Sequence, residues 1–498
     1  GAGYFHAGGS DLASVYDTAL AAAAWVRERC TPAILHLRVV RFGGHAGSDV
    51  ESGYRSAQET AADLAADPLL GTARLLVDAG LLTGPEITAR YEESRARVLG
   101  LAGQVAEAPR LATAEAVLAP LAPHRPDQVW AAACLAAPNP SRINGFSGRL
   151  PEQTAGLTLA QSINAALADA LAARPGMLVF GEDVARKGGV YGVTRGLRDR
   201  FGASRVFDTL LDEQSILGLA LGAGLAGLLP VPEIQYLAYL HNAADQIRGE
   251  AATLSFFSSG QYRNPMVVRI AGLAYQEGFG GHFHNDNSVA SLRDIPGLIV
   301  ACPARPDDAP GLLRTCLAAA EADGRVCVFL EPIALYHTRD LHQAGDGDWL
   351  ARYDPPAAWP ASVIPVGAAR RHGDGRDLTI VTFGNGLRLS LRAAARLADD
   401  GIGCRVLDLR WIAPLPVTDI LREAAVTGRV LVADETRRTG GVSEGIITAL
   451  AEAGFTGQVA RVASVDSFIP LGDAAHTVLL SEAAIEAAAR RMTKEGAD

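Results

Sequence analysis

Residues 208–224 read DTLLDEQSILGLALGAG, and residues 229–239 follow with LPVPEIQYLAY. A strand is expected to end near Leu211 and a helix to begin near Ser215, so Glu213 falls in the turn between them. In open α/β sheets that place, the carboxyl end of a strand, is where ligands bind. Gly218, Gly222, Gly224 and Gly227 leave the helix nearly bare on one face, where another group can come close to its backbone. Asp212 and Glu213 also suit a purely structural task, because a helix start attracts negative charge.

Working outward, short apolar runs recur on both sides: MLVFGED (177–183), RVFDTLL (205–211), MVVRIAG (266–272), LIVACPA (298–304) and VCVFLEP (326–332). Each is bounded by turn residues and separated by helix-like or loop sequence, which implies a mostly parallel sheet flanked by helices. Before them, Thr158 and Gln161 form a capping box, and Leu159, Ile163, Leu167 and Leu171 make one apolar stripe. Further on, DLTIVTFGNG, CRVLDLRWIAP, GRVLVADET and QVARVASVD read as strands of a second α/β region. At the front, a helix is expected over Leu12–Arg29 and a strand over Ala33–Val40, with a Gly-rich turn before them and a polar glycine loop after.

The chain has 498 residues and a net charge of −10, with 49% hydrophobic and 20% charged residues. Its length allows about three domains, and its composition is that of a folded chain. The acidic balance argues against bulk electrostatic binding to nucleic acid or to an anionic membrane. No apolar run reaches the ~18 residues of a membrane span. Gly1–Asp11 lacks the basic and apolar regions of a secretory signal. The six cysteines include no CxxC pair, which removes the usual zinc and iron–sulfur patterns and suits a reducing, cytoplasmic compartment.

Two further loops carry candidate chemistry. GFGGHFHNDNSVASLRDIPGL (278–298) places His282 and His284 in a glycine-rich loop; no third ligand is evident, so no metal is assigned. RVVRFGGHAGSDVESGYRS (38–56) gathers Arg41, His45, Ser48, Asp49, Tyr54 and Arg55, a set able to contact a phosphate or an acidic substrate. The GDG triplets at 345–347 and 373–375 lack a following Asn-Asn and read as turns.

In order along the chain, GEDV (181–184), GGVYGVTRGL (188–197), RVFDTLLDEQSILGLALGAG, EIQYLAY, ADQI, IPGLIVACPARPDDAPGLL, FLEPIALYH and GGVSEGI (440–446) form a specific series. From about 157 to 490 the chain resembles the β subunit of the thiamine-diphosphate-dependent decarboxylating component of 2-oxoacid dehydrogenase complexes. Residues 1 to about 105 resemble the C-terminal third of the α subunit, through RFGGHAGSD, SGYRS, DPLL and the helix after GLLT.

The resemblance implies an α/β fold: thiamine-diphosphate-binding domains with parallel sheets flanked by helices, plus a transketolase C-terminal-like α/β domain. The implied divisions are an α-like part at 1–105, a linker or surface-wrapping segment at 106–150, a pyrimidine-binding domain at 151–340, a connecting segment at 341–370 and the C-terminal domain at 371–498. It implies that Glu213 bonds the cofactor's aminopyrimidine, that Tyr239 lies against that ring, and that His284 serves acyl transfer. Arg41 and His45 match the α-subunit loop over cofactor and substrate. The implied cofactors are thiamine diphosphate and Mg²⁺, with the diphosphate and metal ligands expected upstream of residue 1. The implied partners are a 2-oxoacid and a lipoylated dihydrolipoyl acyltransferase, in a homo-oligomer. Two departures stand out: Ala46 occupies a position that is a phosphorylated serine in some relatives, and His284-Asn285-Asp286 replaces a common His-Ser-Gln. The alternatives are a transketolase-type thiamine transferase and a degenerate docking subunit, because a shared fold does not fix the chemistry.

Overall fold

The computed structural model describes residues 1–121, 125–273 and 281–494, and the chain divides into two compact units, 1–111 and 112–498. In the first unit, β1 (Gly3–Gly8) and β2 (Ala33–Arg38) pair in parallel in the register Gly3–Ala33 to Gly8–Arg38. The helix Leu12–Arg29 connects them, capped by Asp11 on the Ser14 amide. The opening residues are therefore a strand, where a Gly-rich turn was expected. GYFHAG carries no apolar run of its own and is recruited by pairing with the second strand. Helices Ala57–Ala65, Pro68–Asp78 and Gly84–Ala106 follow, the first and third opened by capping boxes, Ser56 with Glu59 and Thr83 with Glu86. This unit buries little: among its described residues only Gly3, Ala7 and Ala22 are fully enclosed.

The second unit holds two sheets. The larger contains β3 (Met177–Gly181), β4 (Val206–Asp208), β5 (Leu229–Ile234), β6 (Met266–Gly272), β7 (Ile299–Ala301) and β8 (Val326–Pro332). The smaller contains β9 (Arg370–His372), β10 (Leu378–Thr382), β11 (Cys404–Asp408), β13 (Arg429–Arg437) and β14 (Gln458–Ser464). β12 (Trp411–Ala413) pairs antiparallel to β7, so the strand orders are β12-β7-β8-β6-β5-β3-β4 and β14-β13-β10-β11-β9. The expected single strand over CRVLDLRWIAP is thus two strands in different sheets. Arg410, with φ 61°, makes the turn between them, and Trp411 is fully buried on the far side. Every residue of β5, β6, β7, β8 and β10 is buried, as a parallel sheet covered on both faces requires. The helix Leu159–Ala173 begins at its capping box and buries all four stripe residues.

Residues 112–150 form three short helices, Ala114–Leu118, Pro126–Ala133 and Asn139–Gly145, within this unit. Arg142, 3% exposed, fastens the third. Its Nε donates to Asp169 at 2.6 Å, and its two Nη atoms donate to Glu152 at 2.6 and 2.8 Å. Tyr353 donates to the other Asp169 oxygen at 2.8 Å, drawing in the connecting segment.

Candidate active site

Strand β4 ends at Asp208, three residues before the expected end, and Glu213 is the first residue of the helix Glu213–Leu225. Asp212 supplies the cap, accepting from the Ser215 amide at 3.2 Å. The capping task therefore belongs to Asp212, and Glu213 is released for another. Its side chain is buried, and its Oε2 accepts from Asn242 Nδ2 at 3.3 Å. No described residue donates to Oε1. Glu182, at the carboxyl end of β3, lies close enough to feel it. Burial pushes the Glu182 carboxyl above its usual range, and the charges of Asp183 and Glu213 add to the push.

Tyr239 lies close enough to feel both acids. Burial first, then the Glu182 and Glu213 charges, raise its hydroxyl above the ordinary value. Its ring meets Tyr236 edge-on at 5.6 Å and His284 at 6.2 Å. Tyr236 is buried and meets His284 edge-on at 4.5 Å, and its hydroxyl accepts from Tyr191 at 3.2 Å. Glu213, Tyr239 and His284, far apart in sequence, thus share one acidic and aromatic corner at the carboxyl edge of the larger sheet. Glu182, Tyr191, Tyr236 and Asn242 join them. GEDV, GGVYGVTRGL and EIQYLAY contain Glu182, Tyr191 and Tyr236, but no spacing in those motifs marks the three for a role.

The residues after His284 are tied to the smaller sheet. Asp286 accepts from Arg437 Nη2 at 3.0 Å and from Ser288 Oγ at 2.6 Å. Asn287 donates to the Glu435 carbonyl at 2.8 Å, and Asn285 donates to the Gly281 carbonyl at 3.0 Å. The departure at 285–286 therefore serves to anchor the loop that carries His284. His282 points elsewhere, with its ring 5.3 Å from Phe468. Gly278–Gly280 of this glycine-rich loop lie outside the described residues.

Arg41 and His45 belong to the first unit and are both exposed. Their loop is organised by Asp49, which accepts from the His45 amide at 2.5 Å and the Tyr54 hydroxyl at 2.9 Å. Those bonds, with a smaller pull from Arg41, hold the Asp49 carboxyl below the usual range. The GDG triplet at 345–347 is a turn: Asp340 accepts from the Gly345 and Gly347 amides, each at 2.9 Å. Among the described residues, no three His, Cys, Asp or Glu side chains are grouped to hold a metal, and no helix is long and apolar enough to cross a membrane.

Three family patterns match in sequence. Residues 1–114 match the dehydrogenase E1 component, 155–337 the pyrimidine binding domain of transketolase, and 367–489 the transketolase C-terminal domain. The chain is 35% identical over 326 residues to the pyruvate dehydrogenase E1 component subunit beta of Staphylococcus epidermidis, covering 64% of this chain and 93% of that one. The Bacillus subtilis subunit of the same name is 34% identical over the same shares. Among solved structures, an inactive β4 tetramer of a split-gene transketolase superposes with a TM-score of 0.54 at 18% identity. It covers 68% of this chain and 99% of its own, a likeness of fold alone.

Proposed function

The chain belongs to the family of thiamine-diphosphate-dependent E1 components of 2-oxoacid dehydrogenases, and from that membership we propose that it completes the oxidative decarboxylation by passing the acyl group to a lipoyl group. The family is one of 2-oxoacid decarboxylating enzymes that use thiamine diphosphate. The observation that carries the finer reading is the meeting of Glu213, Tyr239 and His284 at one corner of the sheet.

The residues suit the cofactor. Glu213 is buried, with one long bond to Asn242 on Oε2, and Oε1 is left to a ring nitrogen. Tyr239 offers an aromatic face beside it. Thiamine diphosphate bound there would supply a carbon nucleophile and an electron sink for decarboxylation. Glu213 in this reading holds the proton at the pyrimidine nitrogen and favours the tautomer that activates the carbon. His284, held edge-on by Tyr236, would donate a proton to the dithiolane sulfur released when the S–S bond opens and the other sulfur takes the acyl group. From the resemblance of their loop alone, Arg41 and His45 are proposed as residues that contact cofactor and substrate. Mg²⁺ is proposed with the diphosphate, and no described residue is assigned to it. The proposed partner is a lipoylated acyltransferase, the proposed compartment the cytoplasm, in keeping with six free cysteines. Exposed Leu210 and Leu211, beside the site, support a homo-oligomer.

A panel of 2-oxoacids, offered with thiamine diphosphate, Mg²⁺ and a dye acceptor, tests the reading. Turnover with one or more of them, and acyl transfer to lipoamide, is expected. Ketol transfer between sugar phosphates without dye reduction favours a transketolase-type enzyme, and silence in both assays favours a docking subunit.

A further inference from the structure

The helix Leu159–Ala173 precedes β3 and runs against it, so its first turn lies at the carboxyl edge of the larger sheet. The loops after β3 and β8 reach the same edge. Together they line an open groove of about 740 Å³, walled by Thr158, Gln161, Tyr191, Arg195, His337 and Arg339. The chain carries a net charge of −10, yet this groove is lined by two arginines and a histidine and by no Asp or Glu. Neither Arg195 nor Arg339 forms an ion pair among the described residues. The acid next to Arg339, Asp340, is already committed to the Gly345 and Gly347 amides.

The groove is also held in shape. Gly188, Gly189 and Gly192 take φ of 81°, 79° and 77°, curling GGVYGVTR back on itself. A β-carbon on Gly188 would lie 2.5 Å from the Arg195 Cα, and one on Gly192 would lie 3.1 Å from the Arg195 guanidinium. Asn164 Nδ2 donates to the Val193 and Arg195 carbonyls at 2.7 and 3.1 Å, which pins the backbone beneath the guanidinium. His337 Nε2 lies 3.1 Å from the Tyr191 carbonyl. The capping box uses the Thr158 Oγ1 and Gln161 Oε1 as acceptors, so the Thr158 hydroxyl proton and the Gln161 amide protons remain as donors.

We propose that this groove binds a small organic dianion, a phosphate ester or a dicarboxylate, through Arg195 and Arg339. Two guanidiniums read a doubly charged group best, by paired charge-assisted bonds. The volume exceeds that of a bare anion and leaves room for a carbon body against Tyr191 and Val190. Tyr191 also hydrogen-bonds Tyr236, which touches His284, so a ligand here lies one ring pair from the candidate active site.

Titration calorimetry of the full chain with glycerol 3-phosphate and with succinate, at constant ionic strength, tests the proposal. Saturable binding of at least one probe is expected, and the tighter of the two tells phosphoryl from carboxylate recognition. The R195Q/R339Q variant should keep its melting temperature and bind at least about tenfold more weakly. Arg339→Gln alone, at an exposed side chain, keeps the test valid if the double variant folds poorly. Absence of saturable binding by both probes, or equal binding by the variants, overturns the proposal. Displacement of the probe by thiamine diphosphate also overturns it, because the groove is then part of the cofactor site.

Discussion

His284 meets Tyr236 edge-on at 4.5 Å and Tyr239 at 6.2 Å, and its loop is pinned through Asp286 to Arg437. In the proposed function, a ring held this closely moves a proton at one place. His284→Ala should lower lipoamide-dependent turnover by about 10²–10⁴-fold, the usual size of a general acid–base contribution. Dye-coupled decarboxylation should fall less. Equal, mild losses in both assays would mean that the ring only fills space. Glu213 and His284 stand out in the sequence at a strand end and in a glycine-rich loop, whereas Tyr239, and the roles of all three, came from the family resemblance alone. Tyr236 and Glu182 stand in the same motifs, yet their roles depend on which side chain faces which, and no local spacing records that. The Asp286–Arg437 bond joins residues 151 positions apart and left no signal at all.

Among the elements, the strands read from apolar runs were found where the run was continuous and buried on both faces, as at 266–272 and 326–332. β1 escaped because GYFHAG has no apolar run, and β12 escaped because RWIAP continues an apolar run across a change of sheet. Only Leu409 and the left-handed Arg410 separate the two. The helix Asn139–Gly145 was hidden in Pro-rich sequence, and its anchor is electrostatic rather than periodic. Arg142→Ala would leave Asp169 buried with only Tyr353 as donor. Breaking a buried pair from one side costs about 3–5 kcal/mol, so urea unfolding of this variant should show a loss of that order. A loss below about 1 kcal/mol would show that water reaches Asp169.

At the scale of the whole molecule, the second unit joins its two sheets through a buried acidic seam. Asp408, at the end of β11, is fully buried, and burial, with the Asp308 charge, pushes its carboxyl up to about 7. An ordinary aspartate titrates near 3.8. Between those values the folded chain holds a proton that the unfolded chain has lost, so stability falls as pH rises through that window. The penalty is complete above about pH 7. Asp408→Asn keeps an acceptor for the Arg410 amide, so it should raise the melting temperature at pH 8 and flatten its decline from pH 5 to 8. An unchanged slope would place the proton elsewhere. The central claim, that the corner around Glu213 is where the cofactor is activated, is tested most directly by thiamine-diphosphate-dependent CO₂ release from a 2-oxoacid, measured on the protein and on Glu213→Gln. A well-folded Glu213→Gln should lose about 10²–10⁴-fold of that release. Near-normal CO₂ release from a variant with an unchanged circular dichroism spectrum would contradict the assignment.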